Sequence, residues 1–349
     1  MKLIILAIML AGCKPQLPIA SVSEAKIREI ESSKIHIPTE HISWWNKLGP
    51  LCNNEFPSKL HKNGKCDDGD ATLFNGLICA TGVESGCKAV AEAQDEQGRW
   101  WRSPRKSALK RDKNSFSRDQ TLGVLLYLAA TKDKDAANHW MDWMGENRKC
   151  LVKIPFTDSC AIGATVTCHD SSNATCMLTP NIWRLFGKVW MHLGIKTSFR
   201  MQDPYSELGE LKRVFSFFDG KEATRNLTLL EAEVAPIGYS LHLKGVQVFL
   251  QDLLGPRTAS VQQIADLLHK RQPQNLFFQY LAAGPSQMLA DSLIERCPKP
   301  DQKPILQNQW AWERADEDRA WEQSMGWDCY FLGRLLIQEQ WQLAEEQPN

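Results

Sequence analysis

The stretch Phe116-Ser117-Arg118-Asp119-Gln120-Thr121-Leu122-Gly123-Val124-Leu125-Leu126-Tyr127-Leu128-Ala129-Ala130-Thr131 decides the fold class. Ser117 followed three places on by Gln120 has the spacing of a capping box, in which hydroxyl and amide satisfy orphan backbone N–H groups, so a helix is expected to start there. From Leu122 to Ala130 the chain is apolar on every face, which marks a helix surrounded by protein. Its polar residues are confined to the N-terminal end. Such a helix suits the inner layer of a two-layer all-α structure, with Arg118 and Asp119 at the mouth, where a substrate can reach them. The alternative for this pair is capping and local ion pairing, which needs no ligand.

The neighbouring segments continue the alternation. Asp133 to Asn147 carries Ala136, Ala137, Trp140, Trp143 and Met144 as a one-sided stripe, the mark of an outer helix paired with an inner one. Thr179-Pro180 opens a helix with a cap and a proline at its first position, and Gly194 closes it. Ser206 to Phe218, Gly238 to Leu254, Val261 to Lys270, Leu276 to Ala283, Ser286 to Cys297 and Asp328 to Leu336 add further helices. No strand alternation is expected. His242, alone on an apolar helix, reads as a hydrogen-bonded core residue.

Upstream, Cys66-Asp67-Asp68-Gly69-Asp70-Ala71-Thr72-Leu73-Phe74-Asn75-Gly76-Leu77-Ile78-Cys79 puts three carboxylates at the N-terminus of a helix running from Gly69 to Ala80. An EF-hand is excluded, because Gly69 or Gly64 at its sixth position would put a residue without a carboxylate at its first. Acids this close repel, so a cation or Arg should compensate them or one carboxyl should have a raised pKa suited to acid catalysis; capping with solvent exposure is the plain alternative. In Arg99-Trp100-Trp101-Arg102-Ser103-Pro104-Arg105, adjacent Trp rings beside guanidinium groups form the kind of surface that holds sugars. The competing reading places a Trp in the core and the Arg residues in salt bridges.

At the other end of the chain, Lys2, the apolar run Leu3 to Leu10 and Leu10-Ala11-Gly12-Cys13 have the layout of a signal peptide, and the run is too short to span a bilayer. The last four residues resemble the lipobox of bacterial lipoproteins. That resemblance implies removal of residues 1–12 and lipidation of Cys13; the polar, mixed composition that follows reads as part of a lipidated tether over 13–40, and the apolar, aromatic entry from His41 opens one domain over 41–349. Lys14 after Cys13 favours an outer-membrane address, facing the periplasm or the cell surface.

Export accounts for the cysteines, since eleven in the chain minus Cys13 leaves an even ten. A helix over Gly69 to Ala80 would hold Cys66 and Cys79 roughly 15 Å or more apart, beyond disulfide reach, so Cys52–Cys66 and Cys79–Cys87 are preferred. Cys150, Cys160, Cys168 and Cys176 allow three connectivities in a stapled loop, and Cys297 and Cys329 remain as a late pair. Zinc on Cys160, Cys168, His169 and Cys176 is the weaker alternative, as no C-x-x-C pair occurs. No cofactor is expected. The 41 Lys and Arg balance 41 Asp and Glu, which argues against a surface built for nucleic acid or for an anionic membrane; contact with the membrane is expected through the lipid, and the chain is expected to be a monomer.

The whole pattern from His41 to Leu343 resembles the α/α-toroid carbohydrate-active enzymes, in which helical hairpins close into a ring and loops at one mouth hold a glycan. The resemblance is carried by apolar helices that open through Asp70, Arg118-Asp119, Glu231 and Trp327-Asp328, and by the loops Trp100-Trp101-Arg102 and Trp312-Glu313-Arg314. It implies a glycan or polysaccharide partner and, for several such enzymes, inverting hydrolysis by two carboxyl groups about 6.5–9.5 Å apart. Others are lyases that rely on Tyr or His; with only 5 Tyr in the chain, hydrolysis is favoured. Asp68, Asp70, Asp119, Glu313 and Asp328 are the candidate acid and base. Arg102, Arg118 and Arg314 would bind hydroxyl or anionic groups, while Trp100, Trp101 and Trp312 would stack. The competing class is a non-catalytic lipoprotein that binds glycan or a protein partner, in an interaction or immunity role.

Overall fold

The computed structural model describes residues 35–61, 63–110, 114–157, 160–170, 176–195, 229–302 and 327–345. Cys13, the tether as far as residue 34, the Ser206–Phe218 helix and the Trp312-Glu313-Arg314 loop lie outside them.

Helices dominate: α1 Thr39–Leu48, α2 Ala71–Ala80, α3 Glu84–Ala91, α4 Pro104–Leu109, α5 Arg118–Thr131, α6 Lys134–Glu146, α7 Pro180–His192, α8 Tyr239–Leu253, α9 Ala259–Arg271, α10 Leu276–Ala283, α11 Gln287–Arg296 and α12 Asp328–Glu345. Many begin where a short polar side chain can take an orphan N–H. Asp133 accepts from Ala136 N–H at 3.0 Å, Asn275 from Phe277 at 3.1 Å and Ser286 from Leu289 at 3.2 Å.

α5 starts at Arg118 as its sequence predicts, but the capping box does not form: Ser117 makes no side-chain cap bond. Gln120 reaches across to α2, where its Oε1 accepts from the Leu73 N–H at 3.1 Å and its Nε2 donates to Asp70 Oδ1 at 3.1 Å. The reason lies in α2. Its N-cap residue, Asp70, is left-handed (φ 59°) and caps nothing with its own side chain, so the first turn takes an acceptor from a neighbouring helix.

The two helices touch backbone to backbone. A Cβ on Gly76 would lie 2.2 Å from Gly123 O, and one on Gly123 would lie 2.2 Å from Thr72 O. This crossing makes α5 the centre of the packing, and Gln120 to Ala129 are all buried. α5 also packs on α3, α6, α7 and α8; α8 packs on α9 and α10, α10 on α11, α11 on α12, and α12 returns to α1. The return is held by two indoles, Trp45 Nε1 donating to Pro298 O at 2.8 Å and Trp327 Nε1 to Pro50 O at 3.0 Å. His242 of α8 is fully buried near Phe277, and desolvation pushes its pKa down to about 3.

Strands occur, against expectation. β1 Leu51–Cys52 pairs with β2 Phe56–Pro57, β3 Lys59–Leu60 with β4 Cys66–Asp67, and β5 Lys149–Lys153 with β6 Cys160–Ala164, all antiparallel. Their sequences lack clean alternation because two ladders are only two residues long and the third contains register shifts. Disulfides staple them. Cys52–Cys66 and Cys79–Cys87 form as the spacing argument requires, Cys297–Cys329 forms the late pair, and the open middle group resolves as Cys150–Cys160 and Cys168–Cys176. The three cysteines of the zinc alternative are therefore committed to disulfides. No helix among the described residues is long and apolar enough to cross a membrane.

Candidate functional site

Side chains from the first turns of α2, α5 and α8 meet at Asp70. Its left-handed backbone turns the carboxylate away from its own helix. There Oδ1 accepts from Gln120 of α5 and, at 3.2 Å, from the Tyr239 hydroxyl at the start of α8. Arg102 stands 3.5 Å from Oδ1, and Lys59 stands 3.5 Å from Oδ2 and 3.6 Å from Asp67. Asp68 belongs to a separate clamp, ion-paired with Arg105 and accepting from the Ser103 hydroxyl at 2.8 Å. Each of the three crowded acids thus has a cation beside it, which is the first of the remedies their spacing demanded.

The raised pKa falls on Asp119 instead. Burial is the main cause, and the charge of Asp70 pushes the same way against Arg118, Arg102 and Lys244. Among the described residues, neither the Asp119 carboxyl nor the half-buried Arg118 guanidinium has a hydrogen-bond or ion-pair partner. Tyr239 is likewise held protonated well above the ordinary phenol range, by burial first and then by Asp70 and Asp119. Lys244 of α8 carries the cluster toward α7. It forms an ion pair with Glu231, which also accepts from Asn181 Nδ2 at 3.0 Å.

The arrangement therefore sets a carboxyl whose pKa is raised, Asp119, and a protonated phenol, Tyr239, beside a carboxylate fixed by cations. Hydrogen bonds and charge coupling bring Asp70, Arg102, Arg118 and Asp119 together. Asp328, at the start of α12, is 3% exposed.

Trp100 and Trp101 do not form an open platform; they are 0% and 2% exposed. The core claims Trp100, whose ring meets Tyr127 at 5.8 Å and Trp140 at 6.2 Å. Trp101 lies under the Arg99 guanidinium, 4.0 Å away, and donates to Asp95 at 2.8 Å. The competing reading of that loop thus holds for Trp100 in the core and for the ion pairs of Arg102 with Asp70 and Arg105 with Asp68. Trp312, Glu313 and Arg314 lie outside the described residues.

Sequence reasoning missed Lys59, Asn181, Tyr239 and Lys244, and read Gln120 as a local cap. Tyr239 was visible as a polar-tipped residue directly after Gly238 at a helix start, like the acids that were noticed. Lys59 left no signal, since its partners come from the fold of the loop around it. No protein-family model, no curated protein and no solved structure matches the chain.

Proposed function

We propose that the chain is a lipid-anchored, exported glycan-active enzyme of α/α-toroid architecture, acting as a glycoside hydrolase at the end where α2, α5 and α8 begin. One observation carries this reading: Asp119 is a partly buried carboxyl without a hydrogen-bond or ion-pair partner among the described residues, its pKa raised by burial and by the charge of Asp70. A carboxyl of that kind beside a charged one is the division of labour that glycoside hydrolysis needs. Asp119 gives its proton to the leaving glycosidic oxygen as the C–O bond breaks. Water adds to the anomeric carbon and passes its proton to Asp70, which Lys59, Arg102, Gln120 and Tyr239 hold in place. Arg118, whose guanidinium has no hydrogen-bond or ion-pair partner among the described residues, binds hydroxyl or anionic groups of the substrate. The return of α12 onto α1 supports a closed ring of helices. The lipobox-like Leu10-Ala11-Gly12-Cys13 supports lipidation, and Lys14 after Cys13 supports an outer-membrane address.

The test is a reducing-end assay of the mature, oxidised protein on bacterial glycans, with peptidoglycan and acidic exopolysaccharides included. Asp119→Asn and Asp70→Asn are expected to lose roughly 10²–10⁴-fold in rate while keeping the wild-type helical circular dichroism. A wild type that releases no reducing ends yet retains one glycan, with both variants retaining it equally, would establish the non-catalytic binding protein in place of the hydrolase.

A further inference from the structure

Three of the exposed large hydrophobic residues lie within one short stretch, and the fold presents them rather than hiding them. Val152, Ile154 and Phe156 are 47%, 42% and 106% exposed, all on the β5–β6 hairpin that leaves the end of α6. Ile154 and Phe156 belong to its tip. A flexible loop with this composition would fold back onto the body, but the neck is closed by Cys150–Cys160, with Cα atoms 5.6 Å apart, and by the ladder from Lys149↔Ala164 to Lys153↔Cys160.

The charges around the tip are mostly positive. Residues 148–166 carry Arg148, Lys149 and Lys153 against Asp158 alone, in a chain whose total charge is balanced. Arg148 donates to Gly163 O at 2.8 Å across the hairpin. The exposed amines of Lys149 and Lys153 have no protein partner among the described residues.

We propose that this hairpin is a membrane-contact device, with Phe156 and Ile154 entering the acyl region of an anionic bilayer and Lys149 and Lys153 pairing with its headgroups. Apolar tips flanked by cations match the layered chemistry of that surface, where lipid replaces water around the rings and phosphate lies level with the amines. The contact is separate from the site around Asp70. It would give the body a second attachment beside the lipid expected at Cys13, and one chain or one patch alone anchors only reversibly.

The experiment uses the mature chain with Cys13→Ser, so that no acyl chain contributes, sedimented with phosphatidylglycerol vesicles and with phosphatidylcholine vesicles. Binding to the anionic vesicles is expected. Phe156→Ser should weaken it about tenfold, and Lys149→Glu with Lys153→Glu should weaken it by roughly fivefold per lysine or more. Both variants should keep the wild-type melting temperature, since none of these side chains is buried. Equal sedimentation with both lipids, no sedimentation with either, or unchanged binding by Phe156→Ser would each overturn the proposal; the last two would point to a protein partner for the tip.

Discussion

Burial acts on Asp119 and His242 through the same cost of a desolvated charge, with opposite consequences for pH. Asp119 has a folded pKa above its unfolded value. It therefore costs stability at pH values above its folded pKa, and the cost disappears as acid protonates it in both states. His242, whose folded pKa is about 3 against 6.5 in the unfolded chain, stays neutral in the fold when the unfolded chain takes up a proton. Its contribution is complete above pH 6.5 and is lost as the pH falls through that window, by about 1.4 kcal/mol per pH unit. His242→Leu keeps an apolar side chain near Phe277 and removes the titration. Urea midpoints measured from neutral to mildly acidic pH should therefore decline less steeply in the variant, and an unchanged slope would mean that His242 is charged in the fold. Of the sequence reading of His242 as a hydrogen-bonded core residue, the fold bears out the burial. The behaviour of Asp119 was less legible, because its raised pKa comes mainly from burial by the protein around it, with the charge of Asp70 adding to it across the fold.

At the scale of elements, the α2–α5 crossing fixes the position of everything else in the site. Gln120 and Asp70 meet because Gly76 and Gly123 let the backbones touch. Gly123→Ala would push a methyl group into the Thr72 carbonyl and force the helices apart, at a cost of roughly 2–4 kcal/mol. Denaturant unfolding should show that loss, and the proposed hydrolysis should weaken in the reducing-end assay, as Gln120 is drawn away from Asp70. The same substitution at Gly145, where an added Cβ meets nothing within 4 Å, should be close to neutral. Helix starts were legible because a cap is a local event between residues two or three positions apart, as at Asp133, Asn275 and Ser286. The trans-acting cap from Gln120 spans 47 residues and has no local signature. The strands were invisible for a related reason: short, shifted ladders held by disulfides need no hydrophobic alternation. Trp100 and Trp101 misled because adjacent indoles beside Arg look exposed until Tyr127, Trp140 and Arg99 are seen to enclose them.

At the scale of the whole molecule, the last described helix, α12, packs against the first, α1. Trp45 of α1 binds the Pro298 carbonyl just after α11, Trp327 just before α12 binds the Pro50 carbonyl just after α1, and Cys297–Cys329 ties the end of α11 to the start of α12 across 32 residues. Replacing both cysteines with serine should lower stability by roughly 3–4 kcal/mol on loop-entropy grounds, read as a fall in the denaturant midpoint. Because α12 carries the return onto α1, that variant should also show faster exchange of the α1 amides; a fall in stability with α1 protection intact would assign the disulfide a purely local role. The preference for Cys52–Cys66 and Cys79–Cys87 came from helix length alone, whereas the middle four cysteines needed the β5–β6 ladder to decide among their three pairings.

Every described disulfide joins a cysteine to the next one along the chain among those in the folded body: 52 to 66, 79 to 87, 150 to 160, 168 to 176 and 297 to 329. A thiol oxidase that couples cysteines in the order in which they emerge from a translocation pore would therefore produce the native set at the first attempt. Biogenesis of this protein would then depend on an oxidant, with no requirement for an isomerase to reshuffle mispaired bonds.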